Sequence, residues 1–161
     1  LINLFTAVIA SHVIGLFDGN IEKVVALAIL MPIVASMGGN AATQTLAITV
    51  RLLAAKELKA DNLFKVINKE FFVGFLNGLL FSTISAAFVY FWFYDFKLSI
   101  LIGVSMIINM VFAGISGIII PISLYKYKID PAVASTVFVT TVTDVIGFLS
   151  FLGLASFILG I

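Results

Sequence analysis

Pro131-Ala132-Val133-Ala134-Ser135-Thr136-Val137-Phe138-Val139-Thr140-Thr141-Val142-Thr143-Asp144-Val145-Ile146-Gly147 opens a stretch, 131–161, in which Asp144 is the one charged residue. Crossing the hydrocarbon core of a bilayer takes roughly 20 residues of helix, so this stretch is long enough to span it. Residues 1–17, 24–50, 71–94 and 98–125 share its apolar character, and the first of these is the shortest. Polar connections separate them: Asp18 to Lys23, Lys56 to Glu70, Tyr94 to Lys97, and Lys126 to Asp130. Runs of this length are helical, because a membrane barrel would show alternating strands of about ten residues. The composition agrees. The 161 residues are 62% hydrophobic and 11% charged, with a mean hydropathy of +1.24. A soluble domain carries about 25% charge, so an ordinary soluble globule is excluded, and so is a disordered chain. The expected fold is an all-α integral membrane protein with five transmembrane helices, residues 1–161 forming a single transmembrane domain.

Basic residues set the expected orientation. Arg51, Lys56, Lys59, Lys65 and Lys69 lie in or beside the second connection, and Lys126 and Lys128 lie in the fourth. The first and third connections hold only Lys23 and Lys97. The positive-inside rule then places connections two and four in the cytoplasm, with the N-terminus cytoplasmic and the C-terminus external. The aromatic run from Phe88 to Phe96, with Tyr90, Trp92 and Tyr94, falls at the outer interface as a belt. The chain begins Leu1-Ile2-Asn3-Leu4, with neither Met nor a signal-peptide pattern, and reads as a membrane domain whose natural chain starts further upstream. Nine basic residues nearly balance eight acidic ones, so the one-sided charge of a nucleic-acid binder is missing. No Cys is present and His12 is the single His, which removes thiolate and histidine-rich metal sites. His12 reads as a packing residue.

Asp144 is the residue the membrane should tolerate least. Counted from Pro131 it lies about 20 Å along its helix, past the middle of the bilayer. A carboxylate there costs several kcal/mol unless it has a task, and the usual task is an ion or proton path. Thr136, Thr140, Thr143, Asp144 and Gly147 recur at i, i+4, i+7, i+8 and i+11, forming one polar stripe. Threonines alone could bond back to their own helix carbonyls. The second stretch carries a matching oddity. Pro32 removes a helix hydrogen bond, and Gly38-Gly39 is expected to loosen the backbone six residues later. Ser36, Asn40, Thr43 and Ala47 then share a face, with Gln44 beside it. Irregular backbone at membrane depth is tolerated where it is buried in protein or lines a wet cavity. Two such helices facing each other would make a conduction path. Elsewhere, Gly74 and Gly78 form a GxxxG packing pair. Asn77 and Asn109 are expected in interhelical hydrogen bonds, and Pro121 should kink the fourth stretch.

Hard oxygen donors without Cys favour Mg²⁺, Ca²⁺ or Mn²⁺ over copper or zinc. Mg²⁺ dehydrates reluctantly and is commonly held by one or two carboxylates while keeping its waters. One Asp supplies half the charge a divalent ion needs, and a two-fold dimer would bring two copies of Asp144 together. An isolated Asp also suits proton-coupled secondary transport with Asp144 as the carrier. An enzyme is not expected: no Lys or His lies at depth beside a Ser, and Asp144 lacks a second carboxylate.

At this point the residues resemble a family. Met31-Pro32-Ile33-Val34-Ala35-Ser36-Met37-Gly38-Gly39-Asn40-Ala41-Ala42-Thr43-Gln44 is similar to the second-helix signature of the MgtE magnesium channels. Asp130 to Ser135 together with Thr140 to Gly147 is similar to their fifth helix. The resemblance implies a homodimeric Mg²⁺ channel in the bacterial inner membrane, with a pore between the second and fifth helices. Asp144 would bind the hydrated, permeating ion, with Mn²⁺, Co²⁺ or Ca²⁺ as further candidates for the same site. Pro32, Ser36, Gly38, Gly39, Asn40, Thr43, Gln44, Thr136, Thr140, Thr143 and Gly147 would line the path. The cytosolic Mg²⁺-sensing domains of such proteins, expected in the full-length chain, are absent here, so gating does not carry over. Ala42 stands where many members have Gly.

Overall fold

The computed structural model describes residues 1–58 and 60–160, apart from the side chains of Ala60, Asp61 and Val133. Lys59, one of the basic residues behind the expected orientation, and Ile161, the end of the last stretch, lie outside the described residues. The described residues form α1 (Ile2–Gly15), α2 (Asp18–Lys23), α3 (Ala26–Ala54), α4 (Ala60–Phe93), α5 (Phe96–Lys126) and α6 (Pro131–Leu159). Among them α3, α4, α5 and α6 are long and apolar enough to cross a membrane.

Two boundaries depart from the sequence expectation. The stretch 1–17 contains only the 14-residue α1, packed on α6. At about 21 Å, its 14 described residues are shorter than the roughly 30 Å of hydrocarbon. The polar connection Lys56 to Glu70 is mostly helix, since α4 already begins at Ala60. Its Leu, Lys, Asn and Glu residues are compatible with helix, and a polar end that leaves the bilayer needs no apolar surface.

The termini follow capping chemistry. Asp95 caps α5 by accepting from the Lys97 N–H (2.8 Å) and the Leu98 N–H (3.2 Å). Asp130 caps α6 by accepting from the Ala132 N–H at 2.9 Å, with Pro131 at the first helical position, where its missing N–H costs nothing. After α5 the chain turns through Lys128, at φ 59°. The Lys128 and Ile129 N–H groups then bond to the Tyr125 and Leu124 carbonyls, closing the helix end.

The bundle is built around α5, against which α3, α4 and α6 all pack. Its buried side chains include Leu101, Ile102, Met106, Met110, Ala113 and Ile118. One apolar cluster joins Leu27, Leu30 and Val34 of α3 to Leu101 and Ile102 of α5 and Phe151 and Leu152 of α6. Hydrocarbon is as apolar as leucine, so helices in a membrane associate through close fit more than through the hydrophobic effect. The GxxxG pair provides that fit. A Cβ on Gly74 would lie 2.8 Å from the Met110 carbonyl oxygen, and one on Gly78 would lie 2.9 Å from the Ile107 Cα. The opposite side of α4 exposes Phe72, Leu76, Leu80 and Phe91, a lipid-compatible surface. At the α4–α5 corner Phe88 meets Trp92 edge-on at 5.1 Å, and Trp92 stacks on Phe93 at 5.3 Å. His12 is exposed on α1 and not packed inside. Pro121 sits within α5, which remains one helix to Lys126.

Gly74→Ala is expected to destabilise the bundle by about 1–3 kcal/mol, the scale of an overpacked interior, because its Cβ meets backbone that cannot turn away. Phe75→Ala, on an exposed neighbour, should stay within about 0.5 kcal/mol. Thermal unfolding in one detergent, read side by side, checks both.

Candidate functional site

α3 runs unbroken through Pro32, Gly38 and Gly39, so the loosened backbone expected there is instead continuous helix. The two glycines differ in task. Gly38 is buried, and a Cβ there would come within 2.7 Å of the Asn109 Cγ. Gly39 is half-buried, and its Cβ would meet only the Thr143 Oγ1, at an ordinary 3.9 Å. Gly38 is therefore a seat for a side chain of α5, whereas at Gly39 a Cβ would fit between α3 and α6 without a clash.

The two polar helices are neighbours and antiparallel. Gly39 faces Thr143, and a Cβ on Gly147 would lie 3.4 Å from Val34 Cγ1. These two contacts put Asp144 level with Gly38 to Asn40. Nearer the start of α6, Thr43, Leu46, Ala47 and Val50 of α3 line an open groove of about 300 Å³ with Pro131, Ala132 and Thr136. The core face of α3 runs through Leu27, Leu30, Val34, Gly38, Ala42, Thr45 and Thr49. Pro32, Ser36, Asn40 and Ala47 point away from it and are exposed. On α6, Thr136 is exposed, Thr140 and Asp144 are half-buried, and Thr143 and Gly147 are buried. Among the described residues the Asp144 carboxylate has no hydrogen bond or ion pair.

The threonines are tied to their own helices. Thr43 Oγ1 donates to the Asn40 carbonyl (2.9 Å), Thr140 to the Thr136 carbonyl (2.9 Å), and Thr143 to the Thr140 carbonyl (2.9 Å). With the hydroxyl proton committed, what remains is acceptor lone pairs. Water bound to a cation offers only its hydrogens outward, so acceptor-only hydroxyls beside a carboxylate suit a hydrated ion better than free hydroxyls would.

Gln44 stands apart from this group. It lines a second cleft, of about 280 Å³, with Thr45, Glu70, Asn77, Met110 and Gly114, between α3, α4 and α5. There Thr45 Oγ1 donates to the Glu70 carboxylate at 3.1 Å. Asn77 is exposed in this cleft and makes no hydrogen bond among the described residues, unlike the interhelical bond expected of it. Asn109 does make one: its Nδ2 donates to the Val34 carbonyl at 2.8 Å. That α5 reaches into the pair of polar helices through this amide was not legible in the sequence. The sole signal is an amide in an otherwise apolar stretch, and its partner is backbone.

Comparison with known proteins bears on the same residues. The family described as MgtE, divalent cation transporter, matches residues 31–154. The magnesium transporter MgtE of Bacillus subtilis (strain 168) is 34% identical over 153 residues, covering 95% of this chain and 34% of that protein. That of Thermus thermophilus is 32% identical over 156 residues, covering 97% and 34% respectively. The chain thus spans about a third of the length of the curated relatives it matches. The matched region runs from Met31 in α3 to Leu154 in α6, so it takes in both polar helices, and the chain belongs to the MgtE family of divalent cation transporters.

Proposed function

We propose that this chain conducts Mg²⁺ into the cytoplasm as a two-fold dimer, along a pore lined by α3 and α6, with Asp144 receiving the hydrated ion. One observation carries the reading. Ser36 and Asn40 are exposed on the face of α3 opposite its core, and the half-buried Asp144 of the adjacent α6 has no protein partner among the described residues. Polar groups left facing hydrocarbon cost several kcal/mol, whereas groups facing a water-filled seam between two copies do not. Relatives named as magnesium transporters support the choice of ion. The orientation follows the basic residues, with Lys126 and Lys128 at the cytoplasmic side of a bacterial inner membrane.

The chemistry is that of an outer-shell site. A carboxylate from each copy offsets the charge of a divalent ion, and the threonine oxygens and the Asn40 amide accept from its waters. The ion therefore passes without shedding the shell it holds most tightly. The driving force is external to the site: two charges entering an inside-negative cell gain about 4.6 kcal/mol per 100 mV.

Asp144→Asn keeps the size and one acceptor but removes both negative charges of a dimeric site. Mg²⁺ uptake into liposomes at equal protein and equal voltage is expected to fall by about tenfold or more, whereas Asp144→Glu should retain binding with altered selectivity. Uptake in Asp144→Asn equal to wild type makes the carboxylate structural, and uptake that follows an imposed pH gradient makes it a proton carrier. Asn40→Leu, on an exposed face, should abolish uptake while the protein still elutes as a dimer. Normal uptake in that variant removes α3 from the path.

A further inference from the structure

Asn109 is fully buried, at 0% exposure, in the middle of the most apolar helix of the chain. Its carboxamide touches both polar helices at once. Nδ2 donates to the Val34 carbonyl of α3 at 2.8 Å. Gly38, one helical turn further along α3, leaves the space that the amide fills, since a Cβ there would be 2.7 Å from the Asn109 Cγ. Gly147 of α6 does the same from the other side, its Cβ position lying 2.9 Å from Nδ2. The amide is thus a spacer held between two glycine seats, one in each helix, at the level of Asp144 and Asn40.

The Asn109 Oδ1 has no hydrogen-bond partner although it is buried. An unpaired acceptor in a dry interior is costly, so a methionine or leucine would fill this space more cheaply if filling were all that was required. What an apolar side chain could not supply is the directed bond to the Val34 carbonyl. That bond anchors α3 at Val34, two residues after Pro32, whose missing N–H leaves the preceding turn one backbone hydrogen bond short.

We propose that Asn109 is a positioning residue of the ion path, setting how closely α3 approaches α6 beside Asp144. The role rests on the reading that α3 and α6 line the path. Asn109 does not touch the ion and acts through the spacing of the groups that do. It also accounts for why α3 needs glycine at 38 and α6 at 147: each is glycine because the same amide occupies the space of its side chain.

The geometry can be tested apart from transport. Because the chain has no Cys, a Gly39→Cys, Thr143→Cys pair reports the α3–α6 approach through its rate of oxidative crosslinking in membranes. Asn109→Ala, which removes the spacer, is expected to speed that crosslink several-fold. In liposomes Asn109→Ala should shift the half-saturating Mg²⁺ concentration, or the preference for Mg²⁺ over Ca²⁺, by about tenfold, the loss seen when a group that orients a metal-binding residue is removed. Gly38→Ala alone should impair assembly, and Gly38→Ala with Asn109→Ala should restore the assembled protein while leaving the shift in place. The double variant also serves as the transport test if Asn109→Ala alone fails to assemble.

Unchanged crosslinking together with unchanged affinity and selectivity in the assembled variant reduces Asn109 to packing and overturns the proposal. Failure of both variants to assemble makes Asn109 a folding residue and overturns it equally. If wild type carries no Mg²⁺ but the crosslink still depends on Asn109, the transport reading fails while the positioning of α3 against α6 stands.

Discussion

Hydrocarbon offers no hydrogen-bond partner, so each polar group carried into the bilayer must find one within the protein or face water. The architecture follows from that requirement. α3 stays helical through Pro32 and the two glycines, because a true break would strand several backbone groups. Thr49, Thr83, Ser105 and Ser123 each donate to the carbonyl four residues earlier in their own helix. Asn109 spends its N–H on the Val34 carbonyl across a helix interface. Once these groups are assigned, the side chains without a partner among the described residues include Ser36, Asn40 and Gln44 on α3 and Ser135 and Asp144 on α6.

That leftover set acquires meaning from the packing around it. Glycines allow α4 and α5 to approach with backbone against backbone at Gly74 and Gly78, where the hydrophobic effect gives no help. α5 packs closely against α4 there, and on its other sides it packs on the two helices that bear the polar face, with Asn109 touching both. The exposed apolar side of α4 can then meet lipid, while the exposed polar side of α3 cannot. This asymmetry, and not any single residue, is what calls for water or a second copy against α3.

Much of this was open to inspection in the residues. The apolar runs, the GxxxG pair and the isolation of Asp144 all follow from local rules of periodicity and charge. Other readings needed correction for identifiable reasons. The connection Lys56 to Glu70 looked like a loop because polarity marks the end of a membrane span, but polarity does not mark the end of a helix. Gly38 and Gly39 looked alike because glycine spacing says nothing about what lies opposite. Gln44 and Asn77 share a separate cleft with Glu70, since the step of about 100° from Thr43 to Gln44 around α3 turns the side chain from the α6 side to the α4 side.

By itself the sequence determined that the chain is helical, that it belongs in a membrane, and that Asp144 and the Asn40 region are its polar exceptions. Those conclusions depend on hydropathy and on periods of a few residues, which are properties of the local chain. Only the tertiary structure decided which exceptions meet. Gly39 lies against Thr143, and the Asn109 amide fits between Gly38 and Gly147, with Asn109 separated from Gly38 by the rest of α3, all of α4 and the first half of α5. The physical reason is that such contacts depend on the rotation and depth of whole helices, set by close packing summed over their length, and no local pattern encodes either.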